Sequence, residues 1–248
     1  MASDQNFIFG IHPVLEALDS GRELDKVLVK RETGSGQFKH LLEHLHRREI
    51  PVQRVPQEKL NSVTRKNHQG VIAILSAISY GNITQLLPSI YEQGEDPLIL
   101  LLDRVSDVRN FGAIARSAEC AGAHAIVIPA GGSARINADA VKTSAGALHR
   151  IPVCRHRDLA GVSRFLQESG LRLFAATEKG ENSCFETDMK GPAGIILGSE
   201  ERGVSGGLLR KADIQVSIPQ KGNISSLNVS VAEGILLFEV VRQRNLEH

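Results

Sequence analysis

Three short polar stretches follow apolar runs in the second half of the chain, and each holds side chains able to orient a bound molecule. In LDRVSDVRNFGAIARSAECAGA, Leu102 to Ala123, Asp103 ends an apolar run, Asn110 stands where a helix cap is expected, and Arg116 lies about two turns further on. Gly112, Ala113, Ala115 and Ala118 keep that helix thin enough for close backbone approach. In LGSEERGVS, Leu197 to Ser205, Gly198 permits a sharp turn that brings backbone close to a ligand, and Glu200 follows at the mouth of the sheet. In IPQKGNISSLNVSVAEGILLFEVVRQR, Ile218 to Arg244, Ser226 and Asn228 alternate with Leu227 and Val229, so in extended backbone the two pairs face opposite ways. A helix start needs one cap, and this run offers several. Taken singly, Asn110 reads as a cap, Arg116 as a solvated charge and Gly198 as a turn residue. No G-K-[ST] follows Gly198 and no G-x-G-x-x-G occurs there, so neither a phosphate loop nor a dinucleotide fingerprint is present.

One further pattern could carry chemistry. HLLEH, His40 to His44, fits an H-x-x-E-H zinc helix with both histidines on one face. No third ligand is tied to it in the sequence, and the polar face of an amphipathic helix accounts for it. Cys120, Cys154 and Cys184 lie far apart without a C-x-x-C pair, so no zinc site or disulfide framework is indicated. No metal is expected.

The elements that must position these groups alternate between strand and helix. From Phe7 to about Ala77 the pattern gives FIF, a helix over HPVLEALDSG, strand KVLVK, a helix over QFKHLLEHLHRRE, strand PVQRV, a short helix EKLNSV and strand GVIAIL. Residues 78–96 carry Gly81, Pro88, Gly94, Pro97 at the far edge and only acidic charges, and are expected to form a linker. From residue 97 to 245, LILLLD, AIVIP, PVCR, LRLFAAT, GIILGSE and IQVSIP alternate with helical patterns, the signature of a parallel sheet covered on both faces. Ligands of such sheets bind beyond the carboxyl ends of the strands, which is where the three polar stretches fall. The last helix, from Val229, is apolar almost all round, so it is expected to be covered on two sides, the second time by a symmetric partner. Leu237 is taken as a position where a charge would break that dimer.

Composition bounds the rest. The 248 residues are 42% hydrophobic, 23% charged and 4% aromatic, with a net charge of +1, so any binding of nucleic acid must use local patches rather than a global field. Over residues 1–77, 11 Lys and Arg stand against 9 Asp and Glu, with five of the nine histidines. No apolar run reaches the roughly 18 to 20 residues of a membrane span, and MASDQNFIFG lacks the pattern of a signal peptide; a cytoplasmic protein is expected. Leu246, Glu247 and His248 resemble the start of an expression tag.

The three stretches, in this order and at these strands, closely resemble the SpoU/TrmH group of the SPOUT superfamily, the RNA ribose 2′-O-methyltransferases. FIFGIHPVLEAL and NHQGVIA resemble that family's ribosomal-protein-like (L30e-like) substrate-binding domain, so nearly the whole chain is covered. The resemblance implies a C-terminal domain with a deep trefoil knot, a homodimer through that domain, and S-adenosyl-L-methionine as cofactor. It implies that Gly198, Ile218 and Leu227 build the cofactor pocket. It places Arg116 at the reacting hydroxyl, with Asn110, Glu200, Ser226 and Asn228 around it, and Glu200 would orient Arg116 by a bidentate pair. An arginine is a poor base, so Arg116 is expected to hold the adjacent phosphate and polarise the hydroxyl. The N-terminal domain would select the RNA, with Arg65, Lys66 and His68 as candidates, and it most resembles enzymes acting on a guanosine of large-subunit (23S) rRNA; relatives act on tRNA. One departure is Val108, where the family's motif commonly has proline.

Overall fold

The structure is a computed structural model that describes residues 7–31, 36–134 and 136–245; Leu246 to His248 lie outside it. Two compact units divide the chain between Ser79 and Tyr80. The first holds β1 (Phe7–Phe9), α1 (Ile11–Asp19), β2 (Leu24–Lys30), α2 (Gly36–Arg47), β3 (Val52–Val55), α3 (Gln57–Val63) and β4 (Val71–Leu75), with strand order β1-β4-β2-β3. Its strands bury side chains on both faces, one against α1 and α2 (Val14, Leu18, Phe38, Leu41, Leu45) and the other against Leu60 of α3. In α2 the buried Phe38, Leu41 and Leu45 set the inner stripe, which leaves His40 and Glu43 exposed and His44 half-buried. The His40 and His44 rings lie 4.5 Å apart, and among the described residues no group of three metal-ligating side chains forms.

The second unit holds β5 (Tyr80–Gly81), α4 (Ile83–Glu92), β6 (Leu98–Asp103), α5 (Val108–Cys120), β7 (Ala125–Pro129), α6 (Ala138–Thr143), a 3₁₀ turn (Ala147–His149), β8 (Val153–His156), α7 (Leu159–Glu168), β9 (Arg172–Ala176), β10 (Asn182–Ser183), β11 (Ala193–Gly198), α8 (Gly206–Leu209), β12 (Ile214–Ser217) and α9 (Val229–Asn245). The expected linker is thus corrected: residues 80–92 form β5 and α4. Asn82 caps α4 by accepting from Thr84 N at 3.0 Å, and Ile83, Leu87 and Ile90 enter the core beside β6 and β7. Gly81 and Gly94 flank α4 and Pro88 lies inside it, and three apolar positions at helical spacing outweigh these residues.

All strands of this sheet run parallel, in the order β10-β12-β9-β11-β6-β7-β8-β5. Successive strands β6, β7 and β8 step outward on one side; the chain then returns to β9 on the other side, leaving a place that β11 fills. Such a change of direction opens a crevice at the carboxyl ends of the strands. Every residue of β6 is buried, as its unbroken apolar run requires. Among the described residues no helix is long and apolar enough to cross a membrane.

Helix α9 packs on α5 and β11 and is anchored at both ends. Near its end, Gln243 accepts from Met189 N (2.8 Å) and donates to Thr187 O (2.9 Å), while Arg244 donates to the carbonyls of Asp96, Pro97 and Gly191. Leu237 is fully buried within the protomer, which corrects its assignment to an interface; the exposed apolar residues of α9 are Val231 and Phe238, each 50% exposed. Glu233 is buried on the same helix, facing α5. Ser117 of α5 lies beside it, but the Ser117 hydroxyl donates to Ala113 O, and both Glu233 oxygens are without a hydrogen bond. Burial pushes this carboxyl up to about 8 despite Ser117.

The fold therefore accepts Glu233 in its protonated form. Its favourable contribution is complete below the unfolded value of 4.5 and is lost as pH rises toward about 8. Glu233→Met should raise stability, by on the order of 2 kcal/mol at pH 8.5 and less at pH 5, in urea denaturation at the two pH values. An equal gain at both would refute a titrating buried carboxyl.

Candidate functional site

The loop after β11 is held by the end of β6. Asp103 is 5% exposed, and its carboxylate accepts from Arg104 Nε (2.9 Å) and Nη2 (3.3 Å) and from the Ser205 backbone N–H (2.6 Å). Burial by itself would raise the Asp103 carboxyl; the Arg104 fork and the Ser205 hydrogen bond outweigh it and hold the group below the usual carboxylate range. The loop closes over Gly198 through Gly203 N–H to Ser199 O at 2.8 Å. A Cβ on Gly198 would stand 1.9 Å from Gly203 C and 2.0 Å from Val204 N. Glycine is needed here for the loop's own backbone, not in the first instance for a ligand's approach.

Asp107, not Asn110, caps α5: its Oδ1 accepts from Asn110 N at 2.8 Å. That corrects the expected cap and frees the Asn110 side chain, which sits on the first turn pointing at the other two loops. Asn110 Nδ2 donates to Glu200 Oε1 at 2.6 Å, and Asn228 Nδ2 donates to Glu200 Oε1 at 2.8 Å and to Asn110 Oδ1 at 3.1 Å. Asn228 also caps α9. Its Oδ1 accepts from Ser230 N (3.0 Å) and Ser230 Oγ (2.6 Å). Because a backbone N–H can only donate, the cap turns the Asn228 amide so that its NH₂ faces Glu200. The polar run before α9 thus does two things with one residue.

Beside this ring lies a cleft with about 650 Å³ of atom-free space, part of it open to solvent, within the usual range of roughly 300–1,000 Å³ for small-molecule sites. Gly198, Ile218 and Leu227 all line it, together with Ser226 and Glu200. Its apolar wall is Ala176, Leu197, Val216, Ile218, Leu227 and Val229; Thr177, Glu178 and Gln220 supply polar groups. A second cleft shares Ser199 and Glu200 with the first and is walled by Arg104, Asn110, Gly132 and Arg202. Arg116 is not in this assembly: it is exposed on α5, and Glu200 Oε1 is taken by the two amides rather than by a guanidinium.

Residues 97–238 match the model of the SpoU rRNA Methylase family, and residues 7–81 match RNA 2'-O ribose methyltransferase substrate binding. The chain belongs to the SpoU methylase family. It is 37% identical over 246 residues to the 23S rRNA (guanosine-2'-O-)-methyltransferase RlmB of Xanthomonas axonopodis pv. citri, covering 98% of this chain and 99% of that one. It is 33% identical over 245 residues to YacO of Bacillus subtilis, described as a TrmH family tRNA/rRNA methyltransferase, covering 99% and 98%. The SpoU methyltransferase AviRb of Streptomyces viridochromogenes, solved in complex with AdoMet, superposes with a TM-score of 0.62 at 25% identity, covering 98% and 91%.

Within the SpoU family frame, Val108 in place of proline has a simple reading. It is the first residue of α5, where proline is favoured because that N–H has no helical partner, and the Asp107 cap holds the turn without it. Ala176, Thr177 and Glu178 went unnoticed in the sequence because only strand order brings the end of β9 between β11 and β12. His68 is corrected as an RNA contact. It is 5% exposed, accepts from Gly70 N at its Nδ1 (3.0 Å) and meets Asn61 Oδ1 at its Nε2 (3.0 Å), so it shapes the turn that leaves Arg65 and Lys66 exposed.

Asn228→Ala removes both the cap of α9 and two hydrogen bonds of the ring. Stability should fall by about 1 kcal/mol or more, read by urea denaturation. Asn228→Ser, which keeps a capping oxygen, should recover most of that loss.

Proposed function

We propose that the chain transfers a methyl group from S-adenosyl-L-methionine to a ribose 2′-hydroxyl of RNA, at a guanosine of large-subunit (23S) rRNA. The observation that carries this reading is the ring of Asn110, Glu200 and Asn228 at the edge of the cleft that contains Gly198, Ile218 and Leu227. The cleft fits the cofactor chemically: its aliphatic wall can cover an adenine, and Thr177, Glu178 and Gln220 can meet hydroxyl and amino groups. When bound, the cofactor supplies an electrophilic methyl group with its own leaving group. The protein's task is then alignment, together with loss of one proton.

Both amides act on Glu200 Oε1, so Oε2 can accept the hydrogen bond of the ribose hydroxyl and aim its oxygen at the cleft. Ser226, on the cleft wall, meets the ribose or the cofactor. Arg116 works from the exposed face of α5, holding the adjacent phosphate and lowering the cost of negative charge on the attacking 2′-oxygen as its proton is lost. The strand order, in which β11 enters between β9 and β6 and β12 lies beyond β9, is compatible with the family's deep trefoil knot, which we assign to the second unit. The first unit is assigned as an L30e-like RNA-selecting domain, with Arg65 and Lys66 toward the RNA. The homodimer forms through α9, with Val231 and Phe238 in its interface. The protein acts in the cytoplasm, where ribosomal RNA is matured.

Methyl transfer from labelled S-adenosyl-L-methionine to unmodified 23S rRNA and, separately, tRNA tests the reading, with the modified nucleotide mapped. A 2′-O-methylguanosine in 23S rRNA is expected; label in tRNA alone would overturn the substrate, and no label in either would overturn the reaction. Arg116→Ala should reduce transfer by about 10²-fold or more while cofactor affinity, read by calorimetry, stays within about threefold. Phe238→Asp should convert dimer to monomer in sedimentation, and an intact dimer would exclude that face.

A further inference from the structure

The chain carries a net charge of only +1, yet residues 130–165 hold six Lys and Arg against two Asp. These residues contain the loop after β7, all of β8 and most of α7. In the sheet, Gly198 pairs with Asp103 across β11 and β6, and Pro129 pairs with His156 across β7 and β8. The β6–β7 register, with Leu101 opposite Val127, continues to put Pro129 beside Asp103. One row of carboxyl ends therefore runs from Gly198 at the cofactor cleft through Asp103 and Pro129 to His156. Three strand spacings make it roughly 14 Å long.

The clefts follow the same direction. Glu200 is shared by the first and second clefts, and the second reaches Gly132, in the loop after β7, through Arg104 and Arg202. Arg202 is exposed there, while Arg104 is forked to Asp103. Glu201 and Asp107 are the other charged groups on its wall. The loop after β7 is tied to the end of β8 by Ala130 N–H to His156 O at 2.9 Å. Beyond His156 stands Arg157, exposed. The neighbouring Asp158 directs its carboxylate over the first turn of α7, where a Cβ on Gly161 would meet its Oδ2 at 2.6 Å, so this negative charge is turned toward the helix N-terminus.

We propose that the carboxyl-end row from Arg202 to Arg157 is a track for the phosphates of the RNA strand that flanks the methylated nucleotide. The inference rests on the reading of the cleft as the reaction site, and it adds a direction: the strand leaves the Glu200 corner across β6 and β7 toward β8. A guanidinium at each end can fork a phosphate, and the middle of the row offers small residues, Gly131, Gly132 and Ser133, that let a backbone lie close. Contacts of this type weaken all sequences alike when removed and show up in the salt dependence of binding.

The test compares Arg157→Ala, Arg157→Lys and, as a control of equal charge change, Arg164→Ala on the exposed face of α7, in the full chain. Binding of unmodified 23S rRNA fragments and of an unrelated single-stranded RNA is measured from low to high salt, alongside calorimetry with S-adenosyl-L-methionine. Arg157→Ala should bind both RNAs several-fold more weakly, with the slope of log affinity against log salt reduced by about 0.7. Arg157→Lys should recover most of this, Arg164→Ala should match the parent, and cofactor affinity should be the same in all. Equal behaviour of Arg157→Ala and Arg164→Ala would overturn the track. Because RNA binding is read without turnover, a parent protein that binds RNA on this row but transfers no methyl group would refute the reaction and leave the track standing.

Discussion

The parallel pairing of Ala193–Gly198 with Leu98–Asp103 is the constraint on which the site depends. It sets Gly198 directly beside Asp103, so the loop after one strand and the helix entry after the other must share a few ångströms of space. Only a residue without a Cβ fits under the Ser199–Gly203 turn, and only a buried acceptor can hold the Ser205 amide and the Arg104 guanidinium from below. From that fixed corner, Glu200 projects toward the start of α5. The third loop reaches the same corner because α9 packs on α5 and β11.

Two carboxylates meet at this corner with opposite surroundings. Asp103 is buried, and it stays ionised because a guanidinium and a backbone amide compensate its lost hydration. Glu200 is exposed, and two side-chain amides orient it through one oxygen, which leaves the other open to a ligand. The first organises structure and the second opens onto the clefts. A third carboxyl, Glu233, lies on α9 in the core with neither compensation, and burial makes it a neutral acid near physiological pH. These three groups show that the residue type sets little until its neighbours are known.

Much of the architecture was legible along the chain. The apolar runs Leu98–Asp103, Ala125–Pro129 and Ala193–Gly198 are strands because unbroken aliphatic segments of this length suit a sheet covered on both faces. Asn110, Glu200 and Asn228 were identifiable as polar residues at the carboxyl ends of such strands, and the structure brings all three within hydrogen-bond distance. The segment Ile83–Glu92 was misread because Gly and Pro dominate local patterns, whereas its burial against the β6 side of the core is a long-range fact. Leu237 and Phe238 are adjacent in an apolar helix, and only packing shows that one is fully buried and the other half exposed.

By itself the sequence determined the element types, the positions of the loops that carry polar side chains, and the family, since these follow from hydrophobic period and short ordered motifs. Only the tertiary structure decided which loops meet. It made Asp107 rather than Asn110 the cap of α5, kept Arg116 apart from Glu200 in the protomer, and brought the end of β9 into the cleft wall. The reason is physical: strand order in a parallel sheet is set by crossovers many residues long, and the direction of an amide or carboxylate is set by donors and acceptors that arrive from those distant segments.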